Sequence, residues 1–506
     1  MIEAVYSAGI HGMEAYLVKV ECDISEGFPS FDLVGMLSSE VREAKERTVT
    51  ALKNCGINIP SKKITINLAP ANIKKHGTGY DLAIAGSIAQ ALGIIPSEST
   101  ENVLICGELM LDGKVSGIRG VLPIVKLARD SGIRTCIIPG DNACEGAVID
   151  DVSIISVSSI KDLILYLRGE LVIEPERITS FEEHVGQNVD KNDFSKIAGQ
   201  SLAKRGLEIG AAGLHNVIMA GPPGTGKSML AKCLPGILPP MNKEEALEIS
   251  AVYSVSGLMS KNQRLIVNRP VVEVHHSATE TALAGGGHIP RPGLISLAHR
   301  GVLFLDEMPE FSKSVLEVLR QPIEDRVIHI SKNGYSVTYP SDFMLVGALN
   351  PCPCGMYPDM KKCTCTDAMR KKYISKISKP LLDRIDICLR VLRPKSSEMI
   401  NEINEESSEK VRKRVVMAQE IQRERYKGKN IFFNSQMGIE EIEKYCDLGT
   451  KEKALMEKAI SKYDLSARAY HRVLRCARTI ADLDGGGEIN DRHLTEALFF
   501  KSDILE

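Results

Sequence analysis

The chain lacks a charge of dominant sign: 63 basic and 65 acidic side chains leave a net charge of −2 near neutral pH. That excludes attraction to nucleic acid through a global field, so any such affinity has to come from a local patch. It also lacks the uninterrupted apolar run needed to span a bilayer. Residues 1–18 mix Glu, His, Gly and Tyr with apolar residues and read neither as a secretion signal nor as an anchor. A disulfide framework is missing too, since most of the 13 cysteines stand singly inside apolar stretches such as residues 103–107. These absences predict a cytoplasmic protein with reduced thiols and no membrane partner. What is present is ample: 506 residues, 43% apolar and 25% charged, suit roughly two to four domains with full cores.

Residues 1–168 alternate short apolar runs with turn residues, as at 64–68 and 136–139, and show helical periodicity at 38–55 and 82–92. This predicts an α/β domain. Residues 169–192 turn polar and acidic, contain Pro175, and read as a linker. Residues 193–395 repeat a strand, loop and helix rhythm, with buried-strand candidates at 216–220, 301–305 and 343–349, which predicts a parallel sheet. Residues 396–506 read as a small helical domain, with helices at 406–426, 439–446, 451–462 and 467–482.

The chemistry starts at Gly221, Pro222, Pro223, Gly224, Thr225, Gly226, Lys227 and Ser228, which fit the G-x-x-x-x-G-K-[ST] template between a strand and a helix. Glycines let backbone N–H groups curl around phosphate oxygens; Lys227 neutralises the β and γ phosphates and the Ser228 hydroxyl ligates Mg²⁺. About 80 residues on, the apolar run 302–305 ends in Asp306 and Glu307. Asp306 is the expected metal residue and Glu307 the base that polarises an attacking water. Cys352, Cys354, Cys363 and Cys365 form two tight pairs whose spacing allows four thiolates around a structural Zn²⁺; reduced free thiols are the alternative. Between residues 361 and 379, Lys361, Lys362, Arg370, Lys371, Lys372, Lys376 and Lys379 are opposed only by Asp367, a basic insertion that suits a phosphate backbone or forms a solvated face. Residues 327–339 are two β-rich runs joined at Asn333-Gly334, a strong hairpin signal.

Together with GALNP at 347–351, HHSA at 275–278, PRPGLISLA at 290–298 and PLLDRID at 380–386, these motifs resemble AAA+ ATPases of the magnesium-chelatase-like branch. The chain is most similar to the YifB/ComM competence-protein family, over nearly its whole length. The resemblance implies that Asn350 is the polar sensor beside the γ-phosphate. It also implies that Arg384 is an arginine finger reaching a neighbouring subunit, that Arg468 is the second sensor on the C-terminal lid, and that the assembly is a homo-hexamer. In related helicases a hairpin at this point enters the ring pore, which makes Lys332 and Tyr335 candidate substrate contacts. Residues 107–139 and 79–83 look like the Lon-type protease fold, but Asp81 or Leu82 stands at the serine position and Leu122 at the lysine position, which argues against proteolysis. At 269–276 (RPVVEVHH) the chain departs from the family pattern. The expectation is an ATP- and Mg²⁺-dependent ring motor on branched or single-stranded DNA. The rivals are a chelatase-type or protein-remodelling ATPase and an ATP-gated scaffold.

Overall fold

A computed structural model describes residues 3–183, 192–332, 335–393, 405–429 and 431–501. The chain divides into two compact units. The first takes in residues 1–187, 242–267 and 335–338, and the second takes in the rest.

The first unit is built on strands β1 (Glu3–His11), β2 (Glu14–Ser25), β3 (Ser30–Val34), β4 (Lys63–Ala69), β5 (Val103–Ile105), β6 (Thr135–Pro139) and β7 (Ser153–Val157). They form one mixed sheet in the order β3-β4-β2-β1-β5-β6-β7. β2 and β4 alternate, so Val18, Val20 and Cys22 face inward with Ile64, Ile66 and Leu68, the period-2 pattern of a half-buried strand. Helix α1 (Ala44–Asn54) lies near α2 (Asp81–Ala91), which is buried over residues 81–90. Its Ala, Gly and Ser residues permit that: a Cβ at Gly86 would already touch Leu163 and Ile105. Helices α3 (Val121–Asp130) and α4 (Ile160–Leu167) complete the unit's main helices.

The second unit holds a five-stranded parallel sheet. Its strands are β8 (Val217–Ala220), β9 (Val271–Val274), β10 (Val302–Leu305), β13 (Met344–Leu349) and β14 (Ile387–Arg390), in the order β9-β10-β13-β8-β14. Between β10 and β13 lies the hairpin β11 (Val327–Lys332) and β12 (Tyr335–Pro340). Every residue of β8, β10 and β13 is buried, which is why they read as continuous apolar runs. Helix α5 (Ser201–Gly213) precedes β8, α6 (Lys227–Lys232) follows it, and α8 (Lys313–Val318) comes after β10. The C-terminal helices α9 (Ser408–Arg425), α10 (Ile439–Tyr445), α11 (Thr450–Tyr463), α12 (Ala467–Leu483) and α13 (Asp491–Lys501) share one apolar core with a face of this sheet.

Strands and helices expected from periodicity appear within a residue or two of their places, with the 38–55 segment interrupted at Glu43. Edge strand β9 was not foreseen. Helix α7 (Lys243–Ser256) belongs to the first unit although its sequence neighbours belong to the second. Leu247 and Ala251 pack against the cluster of Val121, Leu122 and Val125, and the Gly120 N–H donates to Ser254 O at 3.0 Å. The Asn333-Gly334 turn, residues 184–191 of the linker and the 395/396 boundary lie outside the described residues.

The positions where a Lon-type dyad would sit carry other chemistry. Asp81 is buried, with Oδ2 2.6 Å from Arg47 Nε and Oδ1 2.9 Å from Arg47 Nη2. The Leu122 N–H donates to Glu145 Oε1 at 3.1 Å.

Candidate ATP site

β8 runs straight into the loop 221–226, and α6 begins at Lys227. Gly224 (φ +76°) and Gly226 (φ +91°) occupy the left-handed region, and a Cβ on either would meet nothing within 4 Å. The loop therefore faces an open cleft, which Asp306, Glu307, Leu349 and Asn350 line from the neighbouring strand ends. Gly221 serves a different purpose: its absent Cβ leaves room for Val391 O beyond the end of β14.

Lys227 is buried, and Nζ donates to Gly221 O at 2.7 Å, Pro222 O at 3.0 Å and Asn350 Oδ1 at 3.3 Å. Burial lowers its pKa, opposed by the charges of Asp306 and Glu307. Ser228 Oγ donates to Asp306 Oδ2 at 2.7 Å, and Asp306 Oδ1 accepts the Glu307 N–H at 2.9 Å. Glu307 itself adopts φ +52°, a strained conformation for a residue with a Cβ and one that clusters at functional sites. Half of its side chain is exposed, so the carboxylate is available to the cleft. His276 Nδ1 stands 4.0 Å from Glu307 Oε2. The fit to a magnesium nucleotide is chemical: a cation, a hydroxyl, two carboxylates and an amide converge on an opening whose wall at Gly224 and Gly226 carries no side chain.

Residues 193–399 match the family described as magnesium chelatase, subunit ChlI. Residues 20–142 match subunit ChlI of Mg-chelatase, and residues 405–501 match the ChlI C-terminal family. The chain is 40% identical to the competence protein ComM of Haemophilus influenzae, over 99% of this chain and 97% of that protein. It is 38% identical to YifB of Escherichia coli, over 99% and 97% respectively. The chain belongs to the ComM/YifB family of magnesium-chelatase-like proteins. The 38 kDa magnesium-chelatase subunit of Rhodobacter capsulatus is more distant, 25% identical over 60% of this chain and 84% of that subunit. The family is AAA+ ATPase-like, and the cleft is built accordingly.

Other residues singled out in the sequence of this ComM/YifB-type chain are placed elsewhere. Neither Arg384 nor Arg468 lines the phosphate-loop cleft. Both line a second cleft in the same unit, together with Arg300, Arg326, Arg472 and Arg475. There Arg300 and Arg326 share Asp342, at 3.1 and 2.9 Å, and Arg384 pairs with Glu324 while donating to Pro380 O at 2.6 Å. Arg468 is exposed. Arg472 and Arg475 were missed, although their spacing of i+4 and i+7 from Arg468 on α12 puts all three on one helix face. His276 was missed for want of a motif role, though it stood inside the HHSA signature.

The four cysteines converge, with their sulfurs within 4.8 Å of one another. Around them the basic run is less uniform than the sequence count suggests. Lys362 pairs with Asp359 at 3.7 Å, Lys376 with Glu310 at 3.6 Å, and Arg370 pairs with Asp367 while stacking on Tyr357. Lys361, Lys371, Lys372 and Lys379 are exposed and hold no ion pair among the described residues. Lys332 is exposed; the Tyr335 hydroxyl is hydrogen-bonded to His76.

Proposed function

We propose that the chain hydrolyses ATP with Mg²⁺ as a homo-hexameric ring that moves DNA, in the manner of a branch-migration factor in competence or recombination. The observation that carries the reading is the convergence of Lys227, Ser228, Asp306, Glu307 and Asn350 on one glycine-walled cleft. Lys227 exchanges its loop carbonyls for the β and γ phosphates, Ser228 and Asp306 hold the metal, Glu307 orients the attacking water, and Asn350 contacts the γ-phosphate. Bound Mg²⁺ neutralises phosphate charge. Arg384 and Arg468, sharing a cleft apart from their own phosphate loop, act on the nucleotide of a second copy, which requires a ring. Exposed Lys361, Lys371, Lys372 and Lys379 supply the local positive patch for a phosphate backbone. A structural Zn²⁺ on Cys352, Cys354, Cys363 and Cys365 orders that insertion. The competence assignment follows the likeness to ComM.

The test is steady-state ATP hydrolysis by wild type and Glu307→Gln, with and without a four-way junction, single strands and duplex at low salt. The expectation is severalfold stimulation by DNA and a loss of about 100-fold or more in the variant, which retains ATP and DNA. Hydrolysis indifferent to DNA would remove the DNA motor. Stimulation by a porphyrin instead would favour a chelatase-type role, to which the likeness to the Rhodobacter subunit points.

A further inference from the structure

The four cysteines follow β13, whose last residue Leu349 precedes Asn350, and their loop approaches the phosphate loop. Cys352 Sγ lies 3.4 Å from Cys354 Sγ and 3.7 Å from Cys363 Sγ, and the latter two are 3.6 Å apart. A disulfide would need about 2.05 Å. Four sulfurs at about 2.3 Å from one tetrahedral Zn²⁺ lie about 3.8 Å from each other, close to the separations found. An all-sulfur tetrahedral set selects Zn²⁺ over the hard cations that carboxylates prefer.

Between Leu349 and Asp367 the chain has no helix or strand, and its backbone hydrogen bonds are local turns such as Gly355 N–H to Cys352 O at 2.9 Å, so the cysteine cluster is what joins the two ends of the segment. Yet it makes a close approach to the catalytic cleft. Gly355, at φ +75°, leaves so little room that a Cβ would meet Pro223 Cδ at 2.8 Å and Cγ at 3.2 Å. Pro223 is the third residue of the phosphate loop. Cys352 is fully buried two residues beyond Asn350, whose amide oxygen accepts from Lys227. One loop thus grips the nucleotide site at two points, on the phosphate loop and on the sensor.

We infer that Zn²⁺ held by Cys352, Cys354, Cys363 and Cys365 is a brace for the nucleotide site, keeping Gly355 against Pro223 and Asn350 beside Lys227, so that ATP affinity depends on the metal. The inference rests on the ATP and zinc readings above. It makes Gly355 a positioning residue, absent from the lining of the cleft but packed against the loop that would bind the phosphates.

The experiment uses the full chain. Zinc content is measured by mass spectrometry, and binding of a fluorescent ATP analogue in excess Mg²⁺ is measured on protein as purified, after chelation and removal of the chelator, and after Zn²⁺ is restored. Cys363→Ser and Gly355→Ala are measured alongside. The expected result is about one zinc per chain and an affinity loss of about tenfold on stripping or in Cys363→Ser. Restoring Zn²⁺ to the stripped wild type recovers binding, and Gly355→Ala keeps its zinc but binds ATP more weakly. If zinc is present and its removal leaves ATP binding unchanged, the brace is refuted while the metal and the ATP site stand. If no zinc is found at any stage, the metal reading and the brace fall together. If zinc-replete protein binds no ATP, the functional reading itself has failed.

Discussion

Replacing Gly221 by Ala separates steric from electrostatic demands on the phosphate loop. A Cβ at this position would lie 2.1 Å from Val391 O and 3.1 Å from Val391 C. A carbon and a carbonyl oxygen tolerate about 3.3 Å, so the two segments must part by about 1 Å. Neither can move alone: the Val391 N–H donates to Ala220 O at 2.8 Å, and the Gly221 N–H donates to Leu349 O at 3.2 Å. Losing one such bond costs about 1 kcal/mol and the overpacking about 1–3 kcal/mol more, for a total near 2–4 kcal/mol. In a unit of this size that corresponds to a fall of roughly 3–7 °C in its melting temperature. Gly224→Ala is the control. Its Cβ meets nothing within 4 Å, so only the φ of +76° is penalised, at about 1–2 kcal/mol, while the methyl group takes up open space beside the phosphate loop. Thermal melts by circular dichroism and ATP-analogue binding should show Gly221→Ala dominated by lost stability and Gly224→Ala by lost affinity. A Gly221→Ala protein that melts with wild type and binds ATP normally would refute the reasoning.

If Arg384 acts across a subunit boundary, Arg384→Ala and Lys227→Ala chains, each inactive alone, should recover part of the ATPase when mixed; no recovery at any ratio would confine the arginine to its own chain. Asp482 is wholly buried and accepts from Arg425 Nη1 at 2.7 Å, Arg478 Nε at 3.1 Å and Asn434 Nδ2 at 2.8 Å. Asp482→Ala leaves two guanidinium groups unpaired and should destabilise the second unit by about 3–5 kcal/mol, read from its urea transition. Burial raises the pKa of Glu145 above 4.5, against the hydrogen bonds from Ser254, Asn142 and Leu122. Folding therefore favours the protonated acid, and its contribution to stability is full below about 4.5 and is lost as pH climbs through the raised value. Subtracting the stability profile of Glu145→Gln from that of wild type should expose this downward step, and a flat difference would count against it.

Motifs whose chemistry is carried by neighbours in sequence were legible early. The phosphate loop had to follow a strand and open a helix, and a run of apolar residues ending in Asp306-Glu307 had to be a buried strand, because backbone geometry fixes those relations within a few residues. The C-terminal helices were visible for the same reason, their apolar period being local. Edge strand β9 escaped because its short, half-exposed run carries little alternation.

What the sequence by itself determined is therefore the class of site: which groups bind phosphate, which hold metal, and which four cysteines stand together. Only the tertiary structure decided which distant groups meet. It brought Asn350 to Lys227 across 123 positions, set Gly355 against Pro223, gathered Arg384 with Arg468, Arg472 and Arg475, and placed α7 in the first unit. Those pairings follow from the order of parallel strands and from surface complementarity between segments far apart in the chain, and a one-dimensional pattern encodes neither.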